Sequence, residues 1–213
     1  MIERILPAAV RSAYALDDPP AATLFAEEAA LVANAVPKRR NEFTTARHCA
    51  RQALAALGVP PAPILPGNRG APTWPPGIVG SLTHCAGYRA AAVARTADVI
   101  GIGIDAENHG PLPDGVLDLV ALPAERKDLA ELAGSHPETH WERLLFSAKE
   151  SIYKVWFPCT GEWLGFEEAS VTFDPEAGAF SARILRDGPL PSVTGRFLVA
   201  DGIVLTAIVL TPA

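Results

Sequence analysis

The stretch VIGIGIDAE, residues 99–107, constrains the fold more tightly than any other part of the chain. In extended backbone, successive side chains point to opposite sides. Ile100, Ile102 and Ile104 then share one face, which reads as a core face. Gly101, Gly103, Asp105 and Glu107 share the other, bare at first and then carrying two carboxylates. Those carboxylates lie about 7 Å apart along a strand. Like charges at that spacing repel unless water, a cation or a basic side chain intervenes. The glycines allow close approach to the backbone.

The rest of the chain sets the context for this strand. Its 213 residues suffice for one large domain or two small ones, with enough mass to bury a core. A net charge of −6 argues against a general nucleic-acid binder. Cys49, Cys85 and Cys159 are odd in number and lack metal-binding spacing, so reduced thiols and a cytoplasmic location are expected. The first twenty residues carry acids and prolines where a secretory signal has an apolar run. No stretch approaches the about eighteen apolar residues of a membrane span.

Periodicity predicts a short helix over 21–35 and a long one over 37–57, begun at Pro37 and ended at Gly58. Strands are predicted near 77–83, 87–95 and 98–105, as an antiparallel meander. Residues 108–136 read as loop-rich, with a helix over 123–133. A strong helix follows over 138–157, stopped by Pro158. Strands are predicted over 169–174, 179–185, 195–200 and 203–210. The class is α+β, with its seam after the strand that carries Asp105.

Five groups of residues carry candidate chemistry. Asp105 and Glu107 read equally as a solvated strand end or as hard oxygen ligands suited to Mg²⁺. Glu150 and Lys154 share a helix face, either as a routine surface pair or as a charge cluster turned into a cleft. Thr83 and His84 follow Ser81 at a strand end, where hydroxyls and an imidazole suit phosphate. Arg40, Arg47 and Arg51, with Arg39 nearby, form a basic stripe on the helix over 37–57. The loop PGNRGAP adds Arg69 between two glycines. Together these groups offer acids for a cation and cations for a ligand with more than one phosphate.

The segments GIGIDAE (101–107), FSAKESIYK (146–154), GSLTHC (80–85) and KRRNEF (38–43), with Arg47, resemble the larger, single-chain 4′-phosphopantetheinyl transferases. The likeness runs from about residue 35 to 165, in the correct order, and is nearest to the actinobacterial and siderophore-associated branch. The pair Gly-Ile-Asp-x-Glu and Lys-Glu-Ser-x-x-Lys is its specific signature. The resemblance implies two similar α+β halves related by a pseudo-twofold axis, expected at 1–105 and 106–213, with coenzyme A in the cleft between them.

By the same resemblance, Asp105, Glu107 and Glu150 are ligands of Mg²⁺, with Mn²⁺ an alternative. Glu150 is the implied general base, and Lys154 contacts the pyrophosphate and stabilises the leaving group. Lys149 is a further phosphate contact, and Thr83 and His84 lie near the coenzyme A phosphates. Arg39 and Arg47 surround the 3′-phosphate, with Arg40 replacing Arg39 if the register moves by one. Pro66, Gly67, Asn68 and Arg69 line the adenine side, and Trp163 walls the pantetheine arm. Phe146 stands where many relatives carry Trp, and some relatives carry a lysine where Pro66 or Asn68 stands here.

The implied reaction moves the phosphopantetheine arm of coenzyme A to a serine of an apo acyl, peptidyl or aryl carrier protein. Fatty-acid, polyketide, nonribosomal-peptide and siderophore synthesis all use such carriers. The enzyme is expected to act as a cytoplasmic monomer, with no nucleic-acid or membrane partner. The apolar residues within 108–125, including Leu112, Val116, Leu117 and Leu119, are the candidate carrier contact or a structural lid. The rival readings are a Mg²⁺-dependent coenzyme A or nucleotide phosphohydrolase and a non-catalytic coenzyme A or carrier-binding module.

Overall fold

The computed structural model describes residues 1–212. Strand β1 (Arg11–Ala15) and the short helix α1 (Ala26–Leu31) precede the long helix α2 (Pro37–Ala56). Strands β2 (Ile78–Cys85), β3 (Tyr88–Arg95) and β4 (Gly101–Asn108) follow. Helices α3 (Val116–Val120), α4 (Pro123–Ser135) and α5 (Trp141–Thr160) come next. The chain closes with β5 (Ala169–Asp174), β6 (Ala179–Ile184), β7 (Ser192–Ala200) and β8 (Ile203–Leu210). The α+β class holds, built on two antiparallel sheets.

The first sheet has the order β1-β3-β2, and the second β4-β8-β7-β6-β5. The expected meander is therefore corrected. β2 and β3 form a hairpin, while β4 begins at Gly101 and pairs with β8, setting Asp105 opposite Thr206. Local alternation marks β4 as a strand but carries no information about a partner a hundred residues on. A division after residue 105 would cut β4, and the sheets part between Arg95 and Gly101.

Each sheet packs one face on a helix. Cys49, Ala50, Ala53 and Leu54 of α2 cover Ala91 and Val93 of β3. Leu144, Leu145, Ala148, Ile152 and Trp156 of α5 cover Val171, Phe180, Val204 and Ile208. The remaining faces share a third core, in which Ala90, Ala92 and Ala94 meet Ile102, Ile104 and Leu205. β2 and β4 lie side by side, joined through side chains. The Ser81 hydroxyl accepts the Ile104 N–H at 3.1 Å, and the Thr83 hydroxyl accepts the Ala106 N–H at 2.9 Å.

The glycine face of β4 proves to be a packing surface. A Cβ at Gly103 would run into the Ser151 carbonyl, and one at Gly101 would stand 3.0 Å from Cys159 Sγ and from Val155. The two glycines thus seat α5 against β4, directly beside Asp105.

Other expectations shift at element ends. Pro158 lies inside α5, which runs on to Thr160 and ends at Gly161 in the left-handed region, φ 73°. The Gly161 N–H bonds the Phe157 carbonyl at 2.8 Å, closing a turn beyond the proline. The predicted helix over 21–35 contracts to α1, where the Phe25 N–H bonds Glu28. β1 and α3 were not anticipated, since each is only five residues long, too short to show a period. Among the described residues no helix is long and apolar enough to cross a membrane.

Candidate active site

Where α2, β2, α5 and the loop before β2 converge, they enclose a cavity of about 790 Å³. Arg39, Phe43 and Arg47 line it from α2, and Thr83 and His84 from β2. Glu150, Tyr153 and Lys154 line it from α5, and Pro66 and Arg69 from the loop. Four-residue spacing on α5 puts Glu150 and Lys154 on one face, as read from the sequence.

Lys154 links the cavity to β4. Its Nζ donates to Asp105 Oδ1 at 2.7 Å and to the Ile104 carbonyl at 3.1 Å. Asp105 is buried, and its second oxygen, Oδ2, has no hydrogen-bond partner. Glu107 pairs instead with Arg143 at 3.0 Å. Burial, and then the Asp105 charge, push the carboxyls of Glu107 and Glu150 above the usual range. Among the described residues no three His, Cys, Asp or Glu side chains converge into a ready cage for an ion. The three expected acids share one electrostatic field, but Lys154 and Arg143 each hold one of them.

Arg39 NH1 lies 3.0 Å from His84 Nε2. Arginine can only donate, so Nε2 accepts and the imidazole proton sits on Nδ1. Nδ1 faces Glu42 at 3.8 Å, and Arg39 lies 3.9 Å from the same carboxylate. Burial pushes the His84 pKa down, and Glu42 opposes the shift. Sequence reasoning missed Glu42, although its place three residues after Arg39 puts both on one helix face.

Arg47 is buried, with its guanidinium 3.5 Å from the Phe43 ring centroid, and burial lowers its pKa to about 10. Arg40 turns away to the Ala33 carbonyl, and Arg51 pairs with the buried Glu28 at 3.0 Å. Of the basic stripe, Arg39 and Arg47 thus line the cavity.

In the loop, Pro66 and Arg69 reach the cavity, while Gly67 and Asn68 form its turn. Trp163 is half-exposed and stands outside the cavity wall. It packs on Tyr153, ring centroids 5.0 Å apart, and lies 5.6 Å from the Arg69 guanidinium. Tyr153, one helical turn after Glu150, is an aromatic residue of the cavity wall that sequence reasoning missed.

Lys149 is not brought to the cavity. Its ammonium is buried against Glu125 at 2.7 Å and bonds the carbonyls of Val120 and Phe166. Adjacent helix positions point about 100° apart, so Lys149 faces the core while Glu150 faces the cavity.

Comparison with known proteins identifies the family. Residues 27–94 match the model of the 4′-phosphopantetheinyl transferase N-terminal domain, and residues 101–205 that of the 4′-phosphopantetheinyl transferase superfamily. The chain is 55% identical to 4′-phosphopantetheinyl transferase Svp of Streptomyces mobaraensis, over 98% of this chain and 88% of that protein. It is 54% identical to 4′-phosphopantetheinyl transferase PptT of Mycobacterium tuberculosis, over 99% of this chain and 98% of that one. A more distant relative, enterobactin synthase component D of Salmonella typhi, is 33% identical over 63% of this chain and 55% of its own length.

Proposed function

Because this chain belongs to the 4′-phosphopantetheinyl transferase superfamily, we propose that it transfers the 4′-phosphopantetheine arm of coenzyme A to an apo carrier protein. The serine hydroxyl of the carrier attacks the phosphorus that bears the pantetheine arm. The bond to the other phosphate breaks, and adenosine 3′,5′-bisphosphate leaves.

The observation that carries this reading is the placement of Glu150 and Lys154 in the cavity wall, with Arg39, Arg47 and His84 lining the same space. Glu150 takes the serine proton. Its raised pKa, from burial and then the Asp105 charge, makes it a stronger proton acceptor. Lys154 meets the charge that develops on the leaving phosphate. Arg39, Arg47 and His84 hold the 3′-phosphate side, and Pro66 and Arg69 the adenine side. Positioning and electrostatics suffice, with no covalent enzyme intermediate.

The donor set fits a hard divalent cation. Asp105, Glu107 and Glu150 offer only oxygens, and Asp105 Oδ2 is buried with no hydrogen-bond partner. Magnesium is commonly bound by one or two carboxylates plus substrate phosphates, so a complete protein cage is not required. Bound there, Mg²⁺ or Mn²⁺ would neutralise charge on the diphosphate. The carriers are proposed to be acyl, peptidyl or aryl carrier proteins, docking beside α3, where Leu119 is exposed. A cytoplasmic monomer belongs to the same reading.

The test mixes the protein with apo carrier proteins, coenzyme A and Mg²⁺, and follows the carrier's mass gain. Arm transfer by the wild type and its loss in well-folded Asp105→Ala and Glu150→Ala are expected. Release of the bisphosphate without any carrier would overturn transfer in favour of hydrolysis. Normal turnover by either variant would overturn the assigned roles.

A further inference from the structure

Two hydroxyls join β4 to β2, and only one of them also touches a carboxylate. Ser81 Oγ accepts the Ile104 N–H, and Thr83 Oγ1 accepts the Ala106 N–H. Both side chains are buried. A hydroxyl that accepts from a backbone N–H keeps its own proton to donate. For Thr83 the acceptor within reach is Asp105 Oδ1, at 3.3 Å. Lys154 donates to the same oxygen at 2.7 Å. Asp105 therefore has two donors on one oxygen and none on Oδ2. Together the two donors hold the carboxylate in one orientation and so set the direction in which its free oxygen points.

Thr83 was expected to touch a coenzyme A phosphate, and this geometry gives its hydroxyl different work. We propose that Thr83 is a positioning residue, whose hydroxyl fixes the Asp105 carboxylate so that Oδ2 is the oxygen offered to a divalent cation. The inference rests on the metal reading above. Partners of metal-binding carboxylates typically contribute about 10- to 100-fold to metal affinity.

The test uses the full chain with coenzyme A and titrates Mn²⁺, reading free Mn²⁺ by electron paramagnetic resonance. Thr83→Val is expected to weaken Mn²⁺ about tenfold. At saturating Mg²⁺ its KM for coenzyme A stays within about twofold of wild type. Thr83→Ser should restore Mn²⁺ binding. Ser81→Ala removes the equivalent backbone bond without touching Asp105, so it should lower the Tm and leave Mn²⁺ half-saturation unchanged. Should Thr83→Val lose its fold, Thr83→Cys, a weak donor of similar size, carries the same expectation. A raised KM for coenzyme A with unchanged Mn²⁺ binding would overturn the inference in favour of a phosphate contact. Equal shifts for Thr83→Val and Ser81→Ala would reduce Thr83 to a structural joint. No Mn²⁺ uptake by the wild type overturns the metal reading, and this inference with it.

Discussion

The carbonyl of Ser151 occupies the space that a side chain at Gly103 would need. This contact fixes the depth at which α5 sits on β4, and so the approach of Glu150 and Lys154 to Asp105. Gly103→Ala must push backbone against backbone, which neither element can relieve by changing a rotamer. Overpacking costs about 1–3 kcal/mol where side chains can adjust, so a loss of about 3 kcal/mol is expected here. Urea denaturation measures it. At temperatures where the variant stays folded, transfer should fall further than coenzyme A binding, because the helix that carries Glu150 has moved. A Gly103→Ala protein of wild-type stability and rate would show that the contact is not limiting.

That contact also separates what the sequence revealed from what it concealed. Alternation in ASVTFD marked β5 and an apolar run marked β8, both to the residue, and Pro37 and Gly58 bracketed α2. Alternation likewise showed a bare glycine face on β4 but not its cover, which is a helix beginning some forty residues later. β1, with the sequence RSAYA, is short and alanine-rich, so its strand pattern was too weak to read. In the site, helical spacing was enough to pair Glu150 with Lys154. It put Arg40 rather than Arg39 in line with Arg47, whereas Arg39 lines the cavity and Arg40 turns to the Ala33 carbonyl. The phosphate role of Lys149 came from the resemblance alone, whereas the position next to Glu150 turns its side chain to Glu125 of another helix. Glu42 was passed over although it stands one turn from Arg39, and Tyr153 because it carries no charge.

Lys149 and Glu125 form the most deeply buried ion pair described, 1% and 2% exposed. Burial lowers the Lys149 pKa while Glu125 raises it back. Glu125 also accepts the N–H groups of Leu122 and Val171, so the pair ties α3, α4, α5 and β5 together. Breaking a buried pair from one side costs about 3–5 kcal/mol. Lys149→Met should lose stability on that scale in a denaturant titration. In the folded variant the KM for coenzyme A should remain near wild type. A large rise in that KM with intact stability would restore Lys149 as a phosphate contact.

Arg47 is held by Phe43 and the Ile64 carbonyl, with its Nε 3.4 Å from that oxygen. A guanidinium fixed in this way suits a terminal phosphate, which it can grip through a planar fork. Charge-assisted hydrogen bonds contribute about 1.5–3 kcal/mol. Arg47→Ala should therefore weaken coenzyme A by about 10- to 100-fold, and 3′-dephospho-coenzyme A by much less. Isothermal titration with both ligands makes the comparison. Equal losses would remove the 3′-phosphate assignment.

His84 supplies the pH dependence. Its folded pKa lies below the ordinary value of 6.5, chiefly through burial, with Arg39, Lys154 and Arg89 adding to the shift and Glu42 opposing it. A depressed pKa means that the stability from neutral His84 is complete above the unfolded value and is lost as pH falls through the folded one. The Tm should therefore drop below about pH 6.5, and less steeply in His84→Gln. A bound phosphate reverses the balance, because an anion beside the imidazole favours its protonated form. Coenzyme A binding near pH 6 should then take up protons, seen as a binding enthalpy that varies with the ionisation enthalpy of the buffer. His84→Gln should abolish that variation. Equal buffer dependence in wild type and variant would mean that His84 keeps its charge when coenzyme A binds, and would place the phosphates elsewhere.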